Sequence, residues 1–161
     1  SAGGEVDLIV RKLNQLVAEG LNFDQVVDMI TTYQSKTKLL FVLAKVDNLV
    51  KNGRLSKLIG TVVGLLNIRM VGEASKTGTL ELLQKARGQK KAIKAAFDEL
   101  IKAGYAGGHI TIAHRNNEKF IEQFSALVRE KFAHAMIEVL PTSGLCSFYA
   151  EEGGLLMGYE I

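Results

Sequence analysis

The chain has 161 residues, 47% hydrophobic and 23% charged, with sixteen glycines against one proline, which suits one globular domain and excludes a disordered or collagenous chain. Twenty Lys and Arg against seventeen Asp and Glu leave a net charge of +3, too mild an excess to argue for nucleic acid as a partner. The single cysteine, Cys146, excludes an intramolecular disulfide and fits a reducing cytoplasm.

Val6, Ile9, Val10, Leu13, Leu16 and Val17 recur at helical spacing, and Gly20 is placed to end that helix. Asn22 with Gln25 three residues later predicts a capping box, and a second helix runs from it to about Ser35. Leu39 to Leu43 is a continuous apolar run, expected as a buried strand. Val46, Leu49 and Val50 predict a short helix stopped by Asn52-Gly53, and Ser56 to Leu66 a further one. Ile68 and Met70 flank Arg69 in an alternating segment. The Ser75 to Gly78 turn joins it to Thr79 to Ala86 as a hairpin. Ile93, Ala96, Phe97, Leu100 and Ile101 define an amphipathic helix closed by Gly104. His109 to His114 is a strand, Asn117 starts a helix on Phe120, Ile121, Phe124, Leu127 and Val128, Ala135 to Leu140 is a strand ended by Pro141, and Leu155 to Ile161 is the last strand. Helices open the chain and then alternate with strands, so the expected class is α/β (α+β): a mixed sheet packed with helices.

No charged-then-apolar leader opens the chain, which starts Ser1-Ala2-Gly3-Gly4 as an excised domain would. The longest apolar stretch, Leu58 to Leu66, is too short to span a bilayer. Catalytic constellations are missing. His109, His114 and His134 sit on different predicted elements without metal-ligand spacing. Cys146-Ser147 lacks a nucleophile elbow, and there is no phosphate-binding glycine loop. Lys85, Arg87, Lys90, Lys91 and Lys94 form one basic cluster, readable as a solvated helix face or as a patch for phosphate; Asp98 stands four residues after Lys94.

Four segments carry a resemblance. Val46-Asp47-Asn48-Leu49-Val50-Lys51-Asn52-Gly53-Arg54-Leu55, Leu66-Asn67-Ile68-Arg69, Ala86-Arg87-Gly88-Gln89-Lys90-Lys91-Ala92 and Ile112-Ala113-His114 follow, in order, segments of the C-terminal half of the DegV family of fatty-acid-binding proteins. The resemblance covers residues 1–161 as a C-terminal DegV domain. It implies that an N-terminal domain, with the hydroxyl loops that hold a lipid carboxylate, lies outside this chain. It further implies a long-chain fatty acid as ligand, no cofactor, no catalytic residue, and a fatty-acid kinase subunit as the partner to which the carboxylate is presented. The family's closing His-x-Gly-Pro-Gly is replaced here by Tyr149-Ala150-Glu151-Glu152-Gly153. An alternative is therefore a divergent domain that docks protein without bound lipid.

By that resemblance Arg54 is the cation at the polar end, against a surface arginine that caps the preceding helix. Tyr149, at the family His position, could donate its hydroxyl, against a core tyrosine already satisfied. Gly153 and Leu155 correspond to the surviving glycine and strand. Leu58, Ile59, Val62, Val63, Leu66, Ile68 and Met70 are tunnel-wall candidates, with the Gly60 and Gly64 pair giving close approach; ordinary core packing explains the same pattern. The energetics sort the roles. About 0.8 kcal/mol per buried methylene makes an acyl tail the source of affinity, and a charge-assisted bond of roughly 1.5–3 kcal/mol fixes orientation and selects acids.

Overall fold

The computed structural model describes residues 1–56 and 67–161; the helix predicted from Ser56 to Leu66 lies, apart from Ser56, outside them. The described elements are α1 (Gly3–Ala18), α2 (Phe23–Gln34), β1 (Thr37–Leu43), α3 (Asp47–Lys51), β2 (Ile68–Ala74), β3 (Leu80–Arg87), α4 (Gln89–Lys102), β4 (Ile110–His114), α5 (Glu118–Lys131), β5 (Ile137–Pro141), α6 (Gly144–Ala150) and β6 (Leu155–Glu160). The six strands form one mixed sheet in the order β3-β2-β1-β6-β4-β5. Only β4 and β5 run parallel, joined through α5, and the other neighbours are antiparallel. The last strand of the chain is thus inserted at the centre of the sheet, between β1 and β4.

The continuous apolar run of β1 is explained by burial on both faces. Leu40 and Val42 point to one side, where Val71, Leu155 and Met157 join Ala92, Ala96 and Leu100 of α4 and Phe120 and Phe124 of α5 in the larger core. Phe41 and Leu43 point to the other, where Met70, Val46, Leu49 and Ala150 form a smaller one.

Helix α2 opens on the predicted capping box. Asn22 Oδ1 accepts from Gln25 N–H and Gln25 Oε1 accepts from Asn22 N–H, both at 3.0 Å. Helix α1 forms as its period predicts, but Val6, Val10, Leu13 and Val17 face outward while Leu8 and Leu16 are buried. A backbone contact sets that rotation. A Cβ on Gly4 would lie 1.9 Å from Thr111 O, and one on Gly158 2.2 Å from Glu5 N, so α1 lies on β4 and β6 through glycine. Helix α6 carries no sequence signal and is an addition to the expected elements.

Candidate functional site

On the face of the smaller core, β1, the β2–β3 hairpin, α3 and α6 enclose a cavity of about 450 Å³. Strand alternation supplies its floor. Leu39, Phe41 and Leu43 project from β1, and Leu156 of β6 stands opposite Phe41. Gly72 lies across from Phe41 on the other side. A Cβ there would sit 2.5 Å from Phe41 Cζ and 2.2 Å from Glu81 O, so glycine is what admits the ring. Leu49, Leu80, Ala74, Leu145 and Cys146 complete the apolar walls. Beside it, sharing Leu39, Ala74 and Gly78, opens a more polar cleft lined by Glu5, Thr37, Lys38, Glu73 and Glu81.

The polar end of the cavity is built by a helix end and a clamp. Helix α3 stops at Gly53, whose φ of +67° reverses the chain. Gly53 N–H then donates to Val50 O, and Arg54 N–H to Leu49 O at 2.8 Å. Arg54 is therefore pinned directly after the turn, exposed, on the cavity wall. Helix α6 is tied to α3 by two bonds: Asn48 N–H donates to Glu151 Oε1 and Asn48 Nδ2 to Phe148 O, each at 2.8 Å. The clamp brings Tyr149 of α6 under Arg54, with the guanidinium carbon 4.9 Å from the ring centroid. A cation stacked on an aromatic face keeps its in-plane N–H groups free to meet an anion.

The other expected site residues divide. Leu58, Val62 and Leu66, with Ile59, Gly60, Val63 and Gly64, lie outside the described residues. Met70 is fully buried in the smaller core against the residues that line the cavity, without lining it itself. Ile68 is half-buried at the start of β2, away from the lining. Gly153, at φ +78°, turns α6 into β6; its N–H donates to Arg115 O and its carbonyl accepts from Asn117 Nδ2 at 2.7 Å. Leu155 is a correction to the expected lining. It follows Gly154 onto the opposite face of the sheet and is buried in the larger core. Glu151 and Glu152 do not line the cavity. Glu151 is buried at the start of α3, and Glu152 accepts from Asn116 Nδ2 and lies 3.7 Å from Arg115 Nε.

Sequence reasoning missed Leu39, Phe41, Leu43, Leu49 and Leu156 as lining. The run from Leu39 to Leu43 announces a strand, yet nothing in it says that one of its two faces borders a void. Among the described residues no group of three or more His, Cys, Asp or Glu is arranged to hold a metal ion, and no helix is long and apolar enough to cross a membrane.

Residues 1–159 match the sequence pattern of the family described as "Uncharacterised protein, DegV family". A DegV domain-containing protein of Streptococcus gordonii is 77% identical over all 161 residues, which make up 57% of that protein. Among solved structures, a Streptococcus pneumoniae fatty acid kinase (Fak) B3 protein loaded with linoleic acid is 76% identical at a TM-score of 0.98, covering 100% of this chain and 57% of that one. A Eubacterium eligens DegV family protein loaded with heptadecanoic acid is 35% identical at a TM-score of 0.95, covering 99% and 58%. The chain thus spans little more than half the length of these relatives.

Proposed function

The chain belongs to the DegV family, and from that premise we propose that it is the C-terminal, lipid-binding domain of a cytoplasmic fatty-acid carrier. The cavity takes the acyl tail, and the carboxylate is presented to a partner kinase. What carries this reading is the apolar cavity of about 450 Å³ with Arg54 and Tyr149 on its wall, a volume in the usual range of roughly 300–1,000 Å³ for small-molecule sites. The long-chain acids held by the two solved relatives support the ligand class.

In this reading Leu39, Phe41, Leu43, Leu49, Leu80 and Leu156 desolvate the tail. Arg54 offers charge-assisted bonds to the carboxylate and the Tyr149 hydroxyl a further donor. No residue is given a catalytic role. The remaining length of the relatives is assigned an N-terminal domain that supplies hydroxyl groups to the carboxylate and closes the site. The chain by itself is therefore expected to bind lipid weakly and the longer protein tightly. The alternative, a docking domain without lipid, drew on Glu151 and Glu152, and both carboxylates are occupied within the fold.

The test is native mass spectrometry of the longer protein purified from its host. An added mass of one long-chain acid, exchangeable with oleate, is the expected result. A clean unliganded mass with no uptake of palmitate or oleate rules the carrier reading out.

A further inference from the structure

Arg69 stands at the start of β2, paired across the ladder with Ala86 of β3. The pleat turns it away from the Met70 side, toward the face where Val71 and Ala86 are buried beneath α4. It reaches the chain around Gly153, where an added Cβ would fall 3.5 Å from Ala44 Cβ and 3.7 Å from Arg69 Nη1. Its Nε and Nη1 are both buried, and among the described residues neither meets an acceptor. Arg69 as a whole is half-buried, yet leaving these two inner donors desolvated and idle is unfavourable, and partial burial holds its pKa below the ordinary guanidinium value. An arginine kept in such a place calls for an anion.

The surroundings select the kind of anion. Helix α4 begins three residues beyond Ala86. Its N-cap is Gly88, which offers no side-chain cap, and Gly88 N–H donates to Asn67 O at 2.9 Å, two residues before Arg69. The first turn of α4 carries no acidic residue. Arg87, Lys90 and Lys91 are exposed there and have no ion-pair partner among the described residues. The carboxylates next to Gly153 are engaged elsewhere, Glu151 with Asn48 N–H and Glu152 with Asn116 and Arg115.

We propose that Arg69, through its two idle inner donors, is the anchor of an oxyanion site of the phosphate class, at the corner where β2, the Gly153 turn and the start of α4 meet. This site is on the opposite face of the sheet from the apolar cavity and does not rest on the lipid reading. A phosphate has oxygens enough to serve two buried arginine donors and a helix N-terminus together, and its charge of nearly two matches the basic residues around it. A carboxylate has only two oxygens to share among the same donors.

The test is a titration of the chain with inorganic phosphate, against acetate and chloride at equal ionic strength, followed by melting temperature and by the ³¹P linewidth. Expected are a saturable rise in melting temperature and a saturable broadening with phosphate alone. Arg69→Gln abolishes both, Arg69→Lys weakens binding by about tenfold or more, and Lys91→Gln weakens it a few-fold. No saturable phosphate response from the unmodified chain overturns the site, whatever the variants do. So does an Arg69→Gln variant that binds as the parent does. An acetate response as strong as that of phosphate overturns the phosphate class and assigns a carboxylate instead.

Discussion

The guanidinium carbon of Arg54 lies 4.9 Å from the centroid of the Tyr149 ring, so the residue that ends the α3 turn is held by a helix from the far end of the chain. An exposed cation–π stack contributes only about 0.5–1 kcal/mol, which orients Arg54 without making the fold depend on it. Arg54→Ala in the longer protein should weaken binding of a long-chain acid by about 1–3 kcal/mol, roughly five- to 150-fold, and hardly move the urea midpoint. Tyr149→Phe keeps the ring under Arg54 and loses only the hydroxyl donor, so it should cost less, about 0.5–1.5 kcal/mol. Calorimetry with oleate, beside urea melts, separates the outcomes: an Arg54→Ala protein that is unfolded in buffer shows a structural arginine.

The cavity has a near and a far end. Met70 pairs with Leu43 just before α3, whereas Ala74 pairs with Leu80 at the hairpin, four residues on and roughly 13 Å along the strand. Ala74 lines the cavity and is only half-buried, so a larger side chain there fills the void at modest strain. Ala74→Phe should abolish binding of the longest acids first and leave short ones nearly unaffected, as read by competition across a series of chain lengths. Equal loss at every length would show that the tail does not run toward the hairpin.

What could be read from the sequence is what local chemistry decides. The Asn22 and Gln25 capping box, the hairpin around Ser75 to Gly78 and the strand from Leu39 all follow from neighbours a few residues apart. What could not be read depends on contacts far apart in the chain. Val6, Val10, Leu13 and Val17 repeat like a buried face and stand exposed, because the close approach of Gly4 and Gly158 fixes which way α1 turns. Helix α6 starts at Gly144 with φ +43° and leaves Leu145 and Phe148 exposed, so no apolar period betrays it. The site divides the same way. Arg54 is visible through the motif after α3, while its partnership with Tyr149 needs the Asn48 clamp to α6.

Gly158 should be among the least replaceable positions. Its added Cβ would lie 2.2 Å from Glu5 N and 2.3 Å from Glu5 Cα, backbone atoms that cannot swing aside. Gly158→Ala must therefore lift the start of α1 off the sheet, at an expected loss of about 1–3 kcal/mol or more. Ser1 and Ala2, just before α1, line the cavity, so acid binding should fall with it. Gly20→Ala is the control. Nothing stands within 4 Å of that site, and only its φ of +77° opposes the change, at about 1 kcal/mol. Urea denaturation of the two variants that gives equal losses would show that α1 does not depend on the contact.

Three tyrosines should make the fold sensitive to alkali. Burial pushes Tyr105 up to about 12, with the Glu160 carboxylate adding to it. Burial raises Tyr159 further, helped by Glu73, Glu99 and Glu5. Tyr33 is raised first by burial and then by its hydroxyl bond to Glu160 Oε1 at 2.7 Å. In the unfolded chain each phenol ionises near 10. Below that pH both states keep these protons and stability does not change on their account. Above it the unfolded state releases protons that the native state retains, so stability falls by about 1.4 kcal/mol per pH unit for each such tyrosine until its folded pKa is passed. Tyr105→Phe loses the bond to Gly108 O at 2.7 Å, and so starts from lower stability at neutral pH. Between pH 10 and about 12 its stability should nevertheless decline less steeply, by about 1.4 kcal/mol per pH unit. Urea midpoints across this range, with phenolate absorbance as the independent count of protons released, check it; parallel slopes for the two proteins would mean that Tyr105 ionises in the folded state as freely as in the unfolded one.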